Sequence, residues 1–339
     1  MSEIKRANGH KPVGLSIALD PAFAAAPRPD PKTLGFDLDA AAAAVVSLHS
    51  RAPEDAFSAS YLGTEREGNG IVIDGNGLVL TIGYLINECD QIVLNLMGGT
   101  PTQAQAIGFD YETGFGLLRA ASKVARTPLR LGSSATIAEN DTLVVVARGG
   151  RDHAISAKVV GVREFAGYWE YMLDRAIFTM PPHPAWSGAA LLDRDGLLVG
   201  IGYLYVQDAR TAPGPSPGNM FLPVDVVKPV IDQLLTHGQR LGAPRPWLGV
   251  YSAEALGRVL VTSLSRHGPA HKAGIEPGDV IVGINGEDVR GVADFYRRLW
   301  RQGPAGVVVR LKLIREQKVV ETEVKTVNRA ELMKAPRAH

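Results

Sequence analysis

Ser187 stands in the run Pro184-Ala185-Trp186-Ser187-Gly188-Ala189-Ala190-Leu191-Leu192, which leads into an Asp195-Gly196 hairpin. A serine hydroxyl is a weak nucleophile. It attacks only when an adjacent base takes its proton and a third group orients that base. Taken alone, a serine between a tryptophan and a glycine is an ordinary turn residue. His183, four residues earlier, reads as a loop residue, and His49, near a strand end, as a buried and satisfied one. Asp110 is a candidate acid. Cys89, the single cysteine, reads as an inert thiol, and its solitude excludes an intrachain disulfide framework and a Cys-based zinc cage. The eight histidines are scattered. His267 and His271 have helical spacing, but Gly268-Pro269 lies between them, so both read as loop residues and no metal site is expected. Gly68-Asn69-Gly70 lacks the third glycine of a dinucleotide fingerprint, and no Walker loop or HExxH pair occurs, so no cofactor is implied.

The elements that must position these residues are short strands. Of 339 residues, 37 are Gly and 22 are Pro, a share above the typical sum of about 12%, which favours a turn-rich, mostly β protein of about two domains. Apolar residues make up 45%, enough for a packed core. The net charge of +1 argues against a general electrostatic grip on nucleic acid. Arg297, Arg298 and Arg301 around Trp300 accordingly read as a solvated helix face. No apolar run approaches the roughly 18 residues of a membrane helix. Lys5, Arg6 and Lys11 before Val13–Leu19 sketch a secretory signal, but Asp20 and Pro21 close the apolar stretch early. The cytoplasm is favoured, with an exported location as the alternative.

Residues 1–36, with five prolines, read as a flexible tail. Residues 37–48 read as a short helix running into a strand. Ile71–Leu80 around Asn76-Gly77 and Leu191–Val199 around Asp195-Gly196 read as two similar hairpins. Ile92–Leu96, Gly116–Leu118, Leu143–Ala147 and Ala157–Val162 are further strands, at a spacing that suggests a barrel or sandwich. Residues 205–219 form a loop, and Val224–His237 a helix stopped by Gly238. Gly242–Pro246 reads as a linker. Beyond it come strands at Val259–Leu264, Val280–Ile284, Val307–Ile314 and Val319–Val327, and a helix at Ala293–Arg301.

Four segments in register give these pieces a common identity. Gly70–Thr81 is similar to the hairpin before the catalytic histidine of the HtrA/Deg family, which are trypsin-like serine proteases carrying a PDZ domain. Gly108–Leu118 resembles that family's aspartate segment, Pro184–Leu191 its nucleophile loop, and Phe221–Leu235 with Trp247-Leu248-Gly249-Val250 its closing strand and helix and the entry to the PDZ domain. The resemblance runs over about residues 40–327. It implies a trypsin-like double β-barrel over 37–240 followed by a PDZ domain over 245–328.

The family's catalytic residues do not all carry over. Where the family has Thr-Asn-Asn-His-Val-Val this chain has Thr81-Ile82-Gly83-Tyr84-Leu85-Ile86, so Tyr84 takes the general-base position. Where it has Asp-Pro-x-Thr-Asp-Leu-Ala-Val this chain has Asp110-Tyr111-Glu112-Thr113-Gly114-Phe115-Gly116-Leu117, so Gly114 takes the aspartate position. Ser187 alone remains. A tyrosine with an ordinary pKa near 10 is protonated at neutral pH and is no base, and losing the base of such a unit costs on the order of 10⁶ in turnover. Ala185 holds the position of the oxyanion-hole glycine. Alanine resists positive φ, and one lost donor costs a further 10²–10³ or so.

The PDZ signature is better kept. Gly268-Pro269-Ala270-His271-Lys272-Ala273-Gly274-Ile275-Glu276-Pro277-Gly278-Asp279 is close to the family's Ser-Pro-Ala-x-x-Ala-Gly-Leu-x-x-Gly-Asp run. The resemblance implies that the amides of Trp247, Leu248, Gly249 and Val250 receive a peptide's terminal carboxylate. Val292, Phe295, Tyr296 and Leu299 would line the helix side of the groove, and a peptide would add as a strand along Val250–Ala253. The expected function is that of a catalytically impaired protease homologue binding peptide or protein C-termini as a scaffold or regulator. The alternative is an active serine endopeptidase with a rearranged triad around Ser187. A trimer is implied by the resemblance alone.

Overall fold

In the computed structural model, which describes residues 21–96, 99–122 and 127–334, the two hairpins nucleate two closed barrels. The first barrel contains β1 (Val45–Arg51), β2 (Glu65–Val72), β3 (Leu78–Ile82), β4 (Gln91–Asn95), β5 (Thr102–Phe109) and β6 (Phe115–Ala120), in the order β1-β2-β3-β6-β5-β4. The second contains β7 (Thr142–Val146), β8 (Ile155–Gly167), β9 (Tyr171–Met180), β10 (Ala190–Leu192), β11 (Leu198–Val206) and β12 (Gly218–Pro223), in the order β10-β11-β12-β9-β8-β7. Both hairpins use one device. Asp74 accepts the amides of Asn76 and Leu78 at 2.9 and 2.7 Å, and Asp193 accepts those of Asp195 and Leu197 at 3.0 and 2.9 Å. An aspartate that bonds its own turn in this way fixes the register of the strands on either side. Barrel closure leaves no exposed strand edge.

The interior is filled from alternate strand positions. Leu48, Ile71, Leu80, Leu94 and Leu117 are fully buried in the first barrel. In the second, Val145, Ile155, Ala157, Val159, Leu191, Val199 and Phe221 form one cluster, and Phe23 and Ala26 join it. Part of the expected tail is therefore packed. Pro27 accepts the Ser156 amide, and Arg28 bonds the Ala154 carbonyl. Residues 1–20 of that tail lie outside the described residues. Leu38–Ala43 is a short helix capped by Asp37, running into β1.

The chain divides into two compact units. One holds both barrels, and the other takes in Leu241–Leu332 together with Glu164–Asp174, the outer end of the β8–β9 hairpin. Nothing in the sequence marks this excursion. In the second unit, β13 (Val250–Ala255), β14 (Arg258–Leu264), β15 (Val280–Ile284), β17 (Val308–Arg315) and β18 (Lys318–Lys325) form a sheet in that order, with the two-residue β16 (Glu287–Asp288) on β15. His271, expected in a loop, falls in a single helical turn, Pro269–Lys272. The helix Val292–Arg301 buries Val292, Phe295, Tyr296 and Leu299 against the sheet. Ala166 and Met172 of the hairpin pack on the same core. On that helix Arg298 pairs with Asp294 and Arg301 with Glu287, at 2.9 and 2.7 Å, and Arg297 pairs with Glu164.

Candidate functional site

The nucleophile loop is held from below by one side chain. Asn69, fully buried on β2, donates through Nδ2 to the carbonyls of Ala185 and Ser187 at 2.8 and 2.7 Å, and its amide donates to the Ser187 carbonyl at 2.8 Å. Its side-chain oxygen accepts the Arg148 amide, and Thr81 on β3 donates to its carbonyl. The Gly-Asn-Gly run that is too short for a phosphate loop thus serves as a clamp.

Tyr84, on the 3-10 turn Gly83–Leu85 after β3, brings its hydroxyl to 2.9 Å from Ser187 Oγ. The same hydroxyl donates to the Tyr203 carbonyl at 3.0 Å. A phenol has one proton. With that proton on Tyr203, the Ser187 hydroxyl is the donor in the Tyr84–Ser187 contact. Burial pushes the Tyr84 phenol well above its ordinary value, against the pull of hydrogen bonds from Ser187 and Trp186. Ser187 itself is 5% exposed.

Gly114 adopts φ +83°, and a Cβ built there would lie 3.3 Å from the Tyr203 ring and hydroxyl. Tyr203 thus fills the space that a longer side chain at 114 would need. Asp110 is 2% exposed and is gripped by Arg240 through two bonds of 3.0 and 2.7 Å, with Thr113 as a third donor. Its carboxylate is committed there. His183 is wholly buried. Its Nδ1 accepts the Ala185 amide at 3.0 Å, which puts the ring proton on Nε2, where it donates to the His153 carbonyl at 2.8 Å. Burial lowers its pKa to about 4, against the pull of the His153 hydrogen bond. The Ala185 N–H, the expected oxyanion donor, is therefore spent on His183, and Ala185 does not take up positive φ. His49, expected to be buried, is exposed and contacts Ser47 and Glu67. Cys89 is buried, with its thiol pushed up by desolvation. A Gly-x-Ser-x-Gly spacing at 214–218 runs from an exposed loop into β12, and its buried Ser216 accepts the Arg210 amide. Among the described residues no cluster of His, Cys, Asp or Glu could hold a metal.

In the second unit, Gly249 at φ +81° lets three successive amides point one way. Leu248 N donates to one carboxylate oxygen of Glu170 at 2.9 Å, and Gly249 N and Val250 N donate to the other at 2.6 and 2.8 Å. The carboxylate cradle expected at Trp247-Leu248-Gly249-Val250 is thus formed by the last three. Trp247 pairs its backbone with Val327. Burial pushes the Glu170 carboxyl up to about 7, although the amides of Leu248, Val250 and Gly249 and the charge of Arg329 pull it down. Phe295 and Leu299, expected to line the groove, are wholly buried core residues. Tyr296 reaches the tip of the β8–β9 hairpin. Its hydroxyl donates to the Gly167 carbonyl at 2.8 Å and accepts the Glu170 amide at 3.1 Å. Glu170, Asn69, Tyr203 and Arg240 act through tertiary contact, and no local signature in the sequence marks their roles.

Two six-stranded barrels with a serine in the loop before β10, followed by a sheet-and-helix module with a carboxylate cradle, define a trypsin-like peptidase fold carrying a PDZ domain. Comparison agrees. Residues 68–201 match the trypsin-like peptidase domain and residues 260–315 the PDZ domain. The chain is 28% identical over 271 residues to a probable periplasmic serine endoprotease DegP-like of Pseudomonas fluorescens, an alignment covering 76% of this chain and 55% of that protein. It is 27% identical to the protein of that description from Pseudomonas fulva, with 75% and 55% covered. The chain spans about half the length of the curated relatives it matches. The serine endoprotease from Yersinia pestis superposes with a TM-score of 0.51 at 20% identity, covering 86% of this chain and 98% of that one. The HtrA-type protease AlgW with a decapeptide gives 0.50 at 22%, covering 88% and 99%. The chain thus carries a trypsin-like peptidase domain and a PDZ domain, and it is similar to DegP-like and HtrA-type proteases.

Proposed function

We propose that this chain is a catalytically impaired HtrA-type homologue that binds peptide or protein C-termini through its PDZ domain, as a scaffold or regulator. In this reading Tyr84 stands at the general-base position, Gly114 at the acid position and Ala185 at an oxyanion-donor position. The observation that carries the reading is the hydroxyl pair at Ser187. Activating Ser187 would require its proton to pass to Tyr84, whose own proton already sits on the Tyr203 carbonyl. The phenol could accept it only as an oxonium ion, or after first ionising against a raised pKa. With the Ala185 amide turned to His183, a tetrahedral intermediate would also lack one donor. An exported location fits this reading better than the cytoplasm, because the relatives are named periplasmic. A homo-oligomer, by family a trimer, belongs to the same proposal, as does the absence of a nucleic-acid partner. No helix of the described residues is long and apolar enough to cross a membrane.

The rival reading, an endopeptidase with a rearranged triad, draws on the retained Ser187 and on relatives named serine endoproteases. Hydrolysis of a denatured fluorescent protein by the full chain separates the two. The proposal expects the same background rate for the natural chain and for Ser187→Ala, and a rate that falls with that substitution would overturn it.

A further inference from the structure

The cradle of Leu248, Gly249 and Val250 is already filled. Glu170 is 7% exposed, and both of its carboxylate oxygens are taken by those three amides. Two residues back along the hairpin, the Tyr168 carbonyl accepts the Ser252 amide at 2.8 Å. Two residues forward from Val250 is Ser252 itself. Stepping back on one chain while stepping forward on the other is the spacing of an antiparallel strand pair. The hairpin tip Gly167–Glu170 therefore meets β13 through one bond of antiparallel spacing, with the acid group at its end in the amide cradle. Tyr296 fastens its other side through Gly167 and the Glu170 amide and also meets Ser252 Oγ at 3.0 Å. The Tyr168 ring lies 6.2 Å from that of Tyr251 on β13. Glu170 sits at φ +56°, a turn conformation that swings its side chain out of line with the strand that follows.

We infer that the β8–β9 hairpin is a built-in ligand of the PDZ domain, with Glu170 standing in for a peptide's terminal carboxylate, so that any external C-terminus binds only by displacing it. This rests on the peptide-binding reading above and deepens it. A partner must present a free carboxylate and, two residues back, a backbone carbonyl for the Ser252 amide, because those are the two features the hairpin tip supplies. It must also compete with a ligand tethered in the same chain, whose effective concentration is in the millimolar range for a short connection. The apparent affinity of a competitor falls by the fraction of molecules whose cradle is open.

The test uses the full chain in three forms: natural, Glu170→Gly, where glycine suits the positive φ, and Glu170→Gln, which keeps the shape and one acceptor. The probes are a pool of synthetic heptapeptides with free C-terminal carboxylates and the same pool with C-terminal amides, read by affinity selection and then by titration of retained peptides. Hydrogen exchange of the Leu248, Gly249 and Val250 amides is followed in parallel. The inference expects free-acid peptides to bind Glu170→Gly at least about tenfold more tightly than the natural chain, with Glu170→Gln between them, no retention of amidated peptides, and faster exchange of the three amides. Unchanged exchange would refute the internal ligand. Faster exchange without peptide retention in any form would instead refute the peptide-binding reading, and the inference with it. Equal peptide affinity in all three forms would refute displacement. Should Glu170→Gly fail to fold, Glu170→Gln decides by the same criteria.

Discussion

Supplying the two side chains that the barrel lacks should not make it a protease. Tyr84→His with Gly114→Asp writes a histidine and an aspartate into the family's positions. Three features oppose the result. An L-residue in the left-handed region at 114 costs about 1–2 kcal/mol, and an aspartate there must also move the Tyr203 ring, which a Cβ already approaches to 3.3 Å. Tyr84→His removes the hydrogen bond to the Tyr203 carbonyl, at a cost of about 0.5–1.5 kcal/mol. Most decisive is the Ala185 amide, which stays on His183 Nδ1 at 3.0 Å. A missing oxyanion donor alone lowers turnover by about 10²–10³. For a reference protease with an efficiency of about 10⁴ M⁻¹ s⁻¹, this leaves kcat/KM at about 10–10² M⁻¹ s⁻¹. The assay is cleavage of fluorescein-labelled casein by the double variant, with Ser187→Ala added as its blank. A Ser187-dependent kcat/KM of about 10⁴ M⁻¹ s⁻¹ or more would show that the amide is freely available, and the reasoning from His183 would be wrong.

Two further expectations follow from the same geometry. Tyr84→Phe should lower unfolding stability by about 1–3 kcal/mol, since it removes the two hydrogen bonds to Ser187 Oγ and the Tyr203 carbonyl, and should leave casein turnover at the background level; urea unfolding beside the cleavage assay checks both, and an unchanged midpoint would contradict the buried-pair geometry. His183 has a folded pKa of about 4 against an ordinary 6.5, so the unfolded chain binds the extra proton first as pH falls. Its contribution is intact above about pH 6.5 and declines between 6.5 and 4, the loss reaching about 3 kcal/mol at the low end. His183→Asn should flatten that part of the stability-against-pH curve relative to the natural chain, and parallel curves would sink the assignment.

Much of the architecture is legible because it rests on local signals. Asn76-Gly77 and Asp195-Gly196 each announce a turn, which the structure braces with the side chains of Asp74 and Asp193. The run Gly268–Asp279 marks the PDZ domain through its resemblance to that family's signature. The chemistry of the site is only half legible. The residue types at 84, 114 and 187 can be read from the chain, but that Tyr84 spends its proton on a carbonyl of β11 cannot. The His183–Ala185 contact spans two residues, yet it depends on burial of the ring beside Phe23, whose centroid lies 5.0 Å away, and that proline-rich stretch reads as a tail. Glu170 was invisible for a similar reason. Its four-residue neighbourhood, Gly167-Tyr168-Trp169-Glu170, is an unremarkable hairpin tip until the chain returns some 80 residues later with three aligned amides.

The most direct measurement is the intact mass of the full chain after prolonged exposure to a fluorophosphonate, which modifies a serine only where its hydroxyl has been made nucleophilic. The account predicts no adduct at Ser187, in the natural chain or in Tyr84→Phe. Stoichiometric modification of Ser187 in the natural chain would contradict it.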